Sequence, residues 1–354
     1  MKKHIRECCG MVMGIDLGDR YSYVVAIQPT GEVEFERRIR TREKELRKLA
    51  TFPGLQRVAL EAGTHSPWVG PLFEQAGIET FVANGRKLRL IYENKKKSDR
   101  MDAEYLARLV RLDPRLLAPI EPKDRQYQED WQVLKLRDEM VRVRACLVVQ
   151  VRGLMKNRGK SLPRCTPAGF PKKVAEALRG SEREMLLPTL KVIHEASVQI
   201  RRYDRQVEQL NQQRYPQTAL LRQIKGVGPV TALAFVLVIG DPQRFVQRRK
   251  VGGYLGLCPA QDESGNRSLQ LRISKEGNPF LRRLLVNCAH YILGPFGQQC
   301  QLRQQGLRIC ERGGQNARKR AAVAVARKLA VVMLTLLQTG QVYEPFPARH
   351  QEAA

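Results

Sequence analysis

Four carboxylates in the first third of the chain have the type and setting to hold a hard divalent cation. Asp16 ends an apolar run, MGID, and a glycine turn at Gly18 and a second β-rich run from Tyr23 to Ile27 follow at once. An acid so placed sits on the rigid rim of a sheet, although Asp-x-Gly after a strand is by itself ordinary turn chemistry. Glu61 closes the run RVALE in the same way, and Ala62 and Gly63 behind it leave room for a ligand. Asp99 and Asp102 lie three apart in KKKSDRMDA, a spacing that puts both on one face of a helix. Two strand-end acids and a helical pair supply the oxygen donors that Mg²⁺ or Mn²⁺ takes, with waters and phosphate oxygens as the remaining ligands. Two such ions stabilise the attacking and leaving oxygens of a phosphodiester during in-line displacement. The plainer alternative has Asp99 capping its helix and pairing with Lys97 or Arg100, and Glu61 as a solvated loop acid.

A second set of polar residues lies in the last third. Ser264 sits in DESG, residues 262–265, where a Ser-Gly step is ordinarily a turn, and no His or Lys stands beside it in sequence as a base. Arg267, Arg272 and Lys275 follow closely and could hold a phosphate. Upstream, Lys225, Gly226 and Gly228 fall between two helical patterns, as in the hairpin of a helix-hairpin-helix unit. There the glycines would let the backbone approach a phosphate and offer N–H groups at the start of the next helix. A plain helix-to-helix turn using Gly228 and Pro229 fits the same residues.

The elements that must position these groups follow from periodicity. Strand, turn, strand, turn and a third strand from Glu32 to Ile39 make a β-meander; a polar helix over 42–52, a strand over 57–61, a helix around 68–76, a strand over 78–83 and a helix over 99–111 come next. That order predicts an α/β domain of the ribonuclease-H-like type over residues 1–118. Pro114, Pro119 and Pro122 mark its end. Over 119–216, Val133, Leu136, Met140, Val143, Leu147 and Leu154 recur at helical steps, as do Ile193, Ala196, Ile200, Tyr203, Val207 and Leu210. Two such helices around a Gly-, Pro- and Lys-rich loop (159–173) predict a helical hairpin or a coiled-coil arm that could also dimerise, with two helices of a bundle as the alternative. Residues 217–345 form a mainly helical C-terminal domain with a hairpin-like span from 258 to 278, and 346–354 is a tail.

Composition narrows the partners. The 354 residues carry 62 Lys and Arg against 35 Asp and Glu, a formal charge of +27 spread along the chain. Such an excess points to phosphate neutralisation on nucleic acid, with affinity that falls steeply with salt. The eight cysteines form no CxxC pair and fit reduced core positions. The longest apolar segments are short or, at Arg327 and Lys328, broken by charge, so no membrane span is expected and the default is a cytoplasmic, nucleoid-facing protein.

On GIDLG, LEAG, KSDRMDAEYLARL, GVGPVTALAFVLVIGDPQRF, YLGLCPAQDESGNRS and ISKEGNPFLRRLL, the chain resembles insertion-sequence transposases that join an N-terminal RuvC-like DEDD domain to a C-terminal serine-bearing transposase domain. Piv-type invertases and bridge-RNA-guided recombinases belong to that family. The resemblance implies that Asp16, Glu61, Asp99 and Asp102 bind Mg²⁺, and that Ser264 attacks a DNA phosphate to leave a phosphoserine link; Ser268 and Ser274 are the neighbouring alternatives. It also implies donor and target DNA as partners, a guide RNA encoded by the element, and a homo-oligomer, dimer or tetramer, with the site shared between subunits. Two other functions compete: a metal-dependent junction-resolving endonuclease that activates water, and a non-catalytic nucleic-acid-binding protein.

Overall fold

A computed structural model describes residues 10–85, 88, 98–120, 123–264 and 267–347, with the backbone alone at 261–264 and 267–270. Cys8, Cys9, Lys97, Pro122, Gly265 and the tail from 348 lie outside the described residues. The chain divides into two compact units, Met1–Arg125 and Gln126–Ala354.

The first unit is a five-stranded mixed sheet in the order β3-β2-β1-β4-β5. Its strands are β1 (Met11–Asp16), β2 (Tyr21–Ile27), β3 (Val33–Arg40), β4 (Leu55–Glu61) and β5 (Glu79–Ala83). The meander β1–β2–β3 is antiparallel, whereas β4 runs parallel to both β1 and β5. β1 and β4 read as unbroken apolar runs because both of their faces are covered. Helices α1 (Glu43–Ala50) and α2 (Ser66–Gln75) pack on the side of Met13, Ile15, Val24 and Leu60; α3 (Asp99–Leu112) packs on the side of Val12, Val25 and Ala59. Each fully buried Ile or Leu in these layers contributes about 1.5–3 kcal/mol. β3 is one of the two edge strands, with only Phe35 and Ile39 reaching the core and Arg37, Arg38 and Arg40 exposed. Charge of this kind blunts an open edge against pairing with other chains. At the start of α3 the cap is Ser98, whose Oγ accepts from the Met101 N–H at 3.3 Å, so Asp99 is the first helical residue and not the cap.

The second unit opens with two long helices, α4 (Arg125–Asn157) and α6 (Gly180–Gln213), joined by a span that holds the short α5 (Phe170–Ala177). They run antiparallel: Arg137 donates to Asp204 at 2.9 Å, Arg144 to Ser197 at 3.2 Å, and Lys160 to Glu182 at 2.7 Å. The seam on α4 holds Leu134, Arg137, Arg144, Val151 and Met155. Leu136, Val143 and Leu154 of the expected stripe are instead exposed. Asp130, buried near the start of α4, accepts from Arg214 and from the Tyr215 hydroxyl, which ties the two far ends of the pair together.

The remaining elements are α7 (Thr218–Arg222), α8 (Pro229–Ile239), α9 (Lys250–Tyr254), the hairpin β6 (Pro259–Ser264) and β7 (Arg267–Ile273), α10 (Pro279–Leu293), α11 (Gln301–Glu311) and α12 (Ala317–Thr339). Among the described residues α12 alone is long and apolar enough to cross a membrane. In this fold it is a core helix, with Ala321, Ala326, Leu329, Ala330, Met333 and Leu334 buried, and it packs against α7, α9, α10 and α11. The cysteines divide: Cys288 and Cys300 are buried as expected, but Cys146 is exposed on α4.

Candidate active site

β1 places Asp16. Alternation along the strand sends Val12 and Gly14 to the α3 side and Met13 and Ile15 to the other, so Asp16 belongs to the α3 face. The same alternation on β4, with Ala59 on the α3 face, puts Glu61 on that face. Ile15 is level with Leu60 in the parallel pairing, so the two acids end adjacent strands side by side. Both are half-buried.

Gly14 brings the helix to them. A Cβ there would lie 2.1 Å from the Ala103 carbonyl oxygen and 2.5 Å from the Ala107 nitrogen, so α3 rests directly on the β1 backbone. Asp102, next to Ala103, is thereby carried to the sheet face and is only 4% exposed, whereas Asp99, one turn earlier, is exposed. Asp16, Glu61 and Asp102 all engage neighbouring groups and none is a free carboxylate. Among the described residues no three His, Cys, Asp or Glu side chains converge tightly enough to enclose a metal ion. The structure thus pairs Asp16 with Glu61 and faces them with the α3 N-terminus, without gathering the four acids into one cluster. As a donor set, carboxylates on one face have the oxygen chemistry of a Mg²⁺ or Mn²⁺ site.

The loop behind Asp16 is held rigidly. A Cβ on Gly18 would meet the Tyr21 carbonyl oxygen at 2.2 Å, so this tight turn requires glycine. Thr41, just past β3, donates its hydroxyl to the Gly18 carbonyl at 2.8 Å and its N–H to the Arg20 carbonyl at 3.0 Å; its hydroxyl also lies 2.8 Å from that of Ser22.

One rim residue escaped the sequence reading. His65, at the end of the loop after Glu61, takes a hydrogen bond on Nδ1 from the Trp68 indole at 3.1 Å and turns Nε2 toward Asp19 at 3.7 Å. The sign was present in sequence as a histidine four residues after a strand-end acid.

In the second unit, Ser264 is the last residue of β6, paired across the hairpin with Arg267. The feet of this hairpin are clamped. A Cβ on Gly256 would meet the Glu276 carbonyl oxygen at 2.2 Å, and one on Gly277 the Tyr254 carbonyl oxygen at 2.0 Å. Arg282 adds hydrogen bonds to the Leu255 and Glu276 carbonyls at 3.1 and 2.7 Å. Arg272 and Lys275 are exposed at this end, Lys275 with a left-handed φ of 57°; Ser274 donates its N–H to the Cys258 carbonyl at 2.9 Å. The side chains of Arg267 and Ser268 lie outside the described residues.

The Gly226–Gly228 turn does join two helices, α7 and α8. Gly226 has φ +102°, and the space its Cβ would take is already filled by Tyr291 at 2.8 Å, so its glycine serves packing against α10. Gly228 caps α8 with open space beside it, and Lys225 is exposed.

Comparison with known families matches residues 13–158 to the DEDD transposase domain of IS110-type elements, and residues 218–301 to the transposase IS116/IS110/IS902 family. Among its relatives, the transposase for insertion sequence element IS1111A of Coxiella burnetii is 27% identical over 94% of this chain and 91% of its own length. The transposase for insertion sequence element IS1328 of Yersinia enterocolitica is 26% identical over 94% of this chain and 98% of its own. A probable family 20 transposase of Pseudomonas aeruginosa is 27% identical over 74% of this chain and 80% of its own. The first match spans the sheet with Asp16 and Glu61, α3 and the whole of α4, the second runs from α7 through the hairpin and α10, and the mixed sheet is consistent with a DEDD nuclease-like domain. The chain belongs to the IS110/IS116 family of insertion-sequence transposases, with a DEDD domain in its N-terminal part and the family's transposase domain in its C-terminal part.

Proposed function

We propose that the protein cuts and rejoins DNA as a transposase-recombinase, with Asp16, Glu61, Asp99 and Asp102 as the ligands of Mg²⁺ or Mn²⁺ and Ser264 as the nucleophile. The observation that carries this reading is the side-by-side placement of Asp16 and Glu61 at the ends of β1 and β4, faced by Asp102 at the start of α3. Mg²⁺ held there would offset the charge that develops on the phosphate oxygens.

In this scheme the Ser264 hydroxyl attacks the scissile phosphorus. A P–O bond to serine forms, the bond to one deoxyribose oxygen breaks, the serine proton passes to a base and the departing sugar oxygen takes up a proton. The link conserves the phosphodiester energy, so a hydroxyl of the exchanged strand can reverse the step without an external energy source. Arg267, Arg272 and Lys275 beside the hairpin supply cations for the phosphate, and Lys225 with the Gly226–Gly228 turn grips backbone elsewhere on the substrate. Donor and target DNA, a guide RNA and a second copy of the chain are the partners in this reading, in the bacterial cytoplasm. The two long helices, as a coiled-coil arm, make the contacts between copies through the exposed Leu136, Val143 and Leu154.

The test is cleavage of end-labelled DNA with Mg²⁺ by wild type, Asp16→Asn and Ser264→Ala. Wild type gives a protein–DNA adduct that survives denaturation, Ser264→Ala gives neither adduct nor free ends, and Asp16→Asn gives no cleavage while retaining salt-sensitive binding. Free ends released by Ser264→Ala at the wild-type rate would make the enzyme a hydrolytic nuclease with Ser264 a turn residue.

A further inference from the structure

The face of the sheet that carries the acids continues outward across β2 and β3. Asp16 is level with Tyr23 of β2, and Tyr23 with Arg38 of β3; two pairs further on, on the same face, Tyr21 is level with Arg40. Side chains at matching positions of adjacent strands share a face, so Glu61, Asp16, Tyr23 and Arg38 form one row across four strands. Strand spacing of about 4.8 Å puts Arg38 roughly 10 Å from Asp16 along that row, a span covered by a short run of nucleotides.

What stands at the end of the row is an aromatic ring and a guanidinium. The Arg38 guanidinium lies over the Tyr21 ring, 4.1 Å from its centroid, and Tyr21 remains 42% exposed. Glu36, the acid on the same face of β3, is already taken by Arg100 at 2.5 Å, which holds that guanidinium above its usual pKa. No carboxylate lies within ion-pair distance of Arg20, Arg38 or Arg40 among the described residues. The platform is also fixed relative to the acids: Thr41, at the end of β3, is bonded to the loop that follows Asp16.

We propose that Tyr21 and Arg38 form a stacking step for a base of the single DNA strand whose phosphate is presented to Asp16 and Glu61. Aromatic rings and arginine planes are the two surfaces on which unpaired bases stack, and the cation also neutralises the backbone. A strand laid along the row has its base on the Tyr21–Arg38 pair and runs inward past Tyr23 to the strand-end acids. Edge protection accounts for arginines on β3, but it calls for neither an exposed ring beneath one of them nor alignment with the acids. The proposal rests on the DNA-cutting role assigned above to those acids.

Binding is measured with the full-length chain carrying Asp16→Asn, so that nothing is cut, on a single-stranded DNA oligonucleotide bearing 2-aminopurine, whose fluorescence falls on stacking. Against that background Tyr21→Ala weakens binding about 5- to 150-fold, the range of one base–aromatic stack, and removes the quench, while Tyr21→Trp restores both. Arg38→Lys keeps the charge and the salt slope but loses the quench, because an ammonium has no plane to stack; Arg38→Gln also lowers the salt slope by about one. Thermal melts of all variants match the parent, both side chains being exposed. Unchanged binding and quenching in Tyr21→Ala, or a loss confined to an RNA oligonucleotide, overturns the proposal. Because binding is read without cleavage, a wild-type protein that fails to cut DNA would defeat the catalytic reading while leaving the stacking result to stand on its own.

Discussion

Asp102 concentrates the electrostatics of the site in one side chain. It is an acid at 4% exposure on the first turn of α3, on the sheet face that also carries Asp16 and Glu61. The helix N-terminus favours a carboxylate's charge at that position, and a divalent cation held there would favour it further. Mg²⁺ or Mn²⁺ should therefore raise the unfolding temperature of the wild type, by an amount equivalent to about 2.7 kcal/mol at a hundred times the dissociation constant. Asp16→Asn and Asp102→Asn should lose the increase, while in chelator Asp102→Asn should unfold within about 1 kcal/mol of wild type, the scale of one exchanged hydrogen bond. Melting curves with and without metal decide it: equal metal-induced shifts in all three proteins would remove these acids from the ligand set.

At the level of elements, the site depends on how closely α3 lies on β1. Gly14→Ala forces a Cβ to within 2.1 Å of one helix carbonyl and 2.5 Å of the next turn's nitrogen, and neither backbone atom can step aside as a side chain would. The helix must lift, at a cost of about 1–3 kcal/mol or more, and Asp102 moves with it. Cleavage should accordingly fall further than the shift in denaturant midpoint implies; a variant with wild-type midpoint and rate would mean the contact is slack. The strands and α3 were legible in the sequence because burial on two faces writes an unbroken apolar run, and burial on one face of a helix writes the spacing of Ala103, Leu106, Ala107 and Val110. The pairing of α4 with α6 was legible too, as a helical hairpin, but the residues that form its seam on α4 were not. Leu136, Val143 and Leu154 have the more apolar pattern yet stand 49%, 38% and 46% exposed. Arg137 takes the seam because Asp204 on the partner helix pairs with it, and Arg144 reaches Ser197 there although its own Nε is buried without a partner; one helix's periodicity carries no record of its partner's residues. Gly226 illustrates the same limit, its glycine being explained by Tyr291, which is distant in sequence. The sequence marked Asp16 and Glu61 as strand ends, but only the β1–β4 register makes them neighbours.

For the molecule as a whole, the proposed chemistry is divided along the chain: the acids proposed as ligands belong to the unit ending at Arg125, and Ser264, the proposed nucleophile, to the unit beginning at Gln126. The described cores respect that division, with β-sheet clusters in the first unit and helical clusters in the second. A substitution in one set should therefore leave the fold of the other unit intact, so a chain with Asp16→Asn keeps a competent serine and a chain with Ser264→Ala keeps competent acids. If the working enzyme combines the acids of one copy with the serine of another, mixing the two inactive proteins recreates complete sites. For a dimer that reassorts at random, about a quarter of the sites are restored. We expect that recovery, measured as adduct formation on labelled DNA after the two variants are mixed, and no recovery when the double variant Asp16→Asn/Ser264→Ala replaces either partner. The alternative outcome is equally sharp. If each copy supplies both its own acids and its own serine, every site in a mixed dimer carries one defect, and the mixture stays as inactive as its components at any ratio.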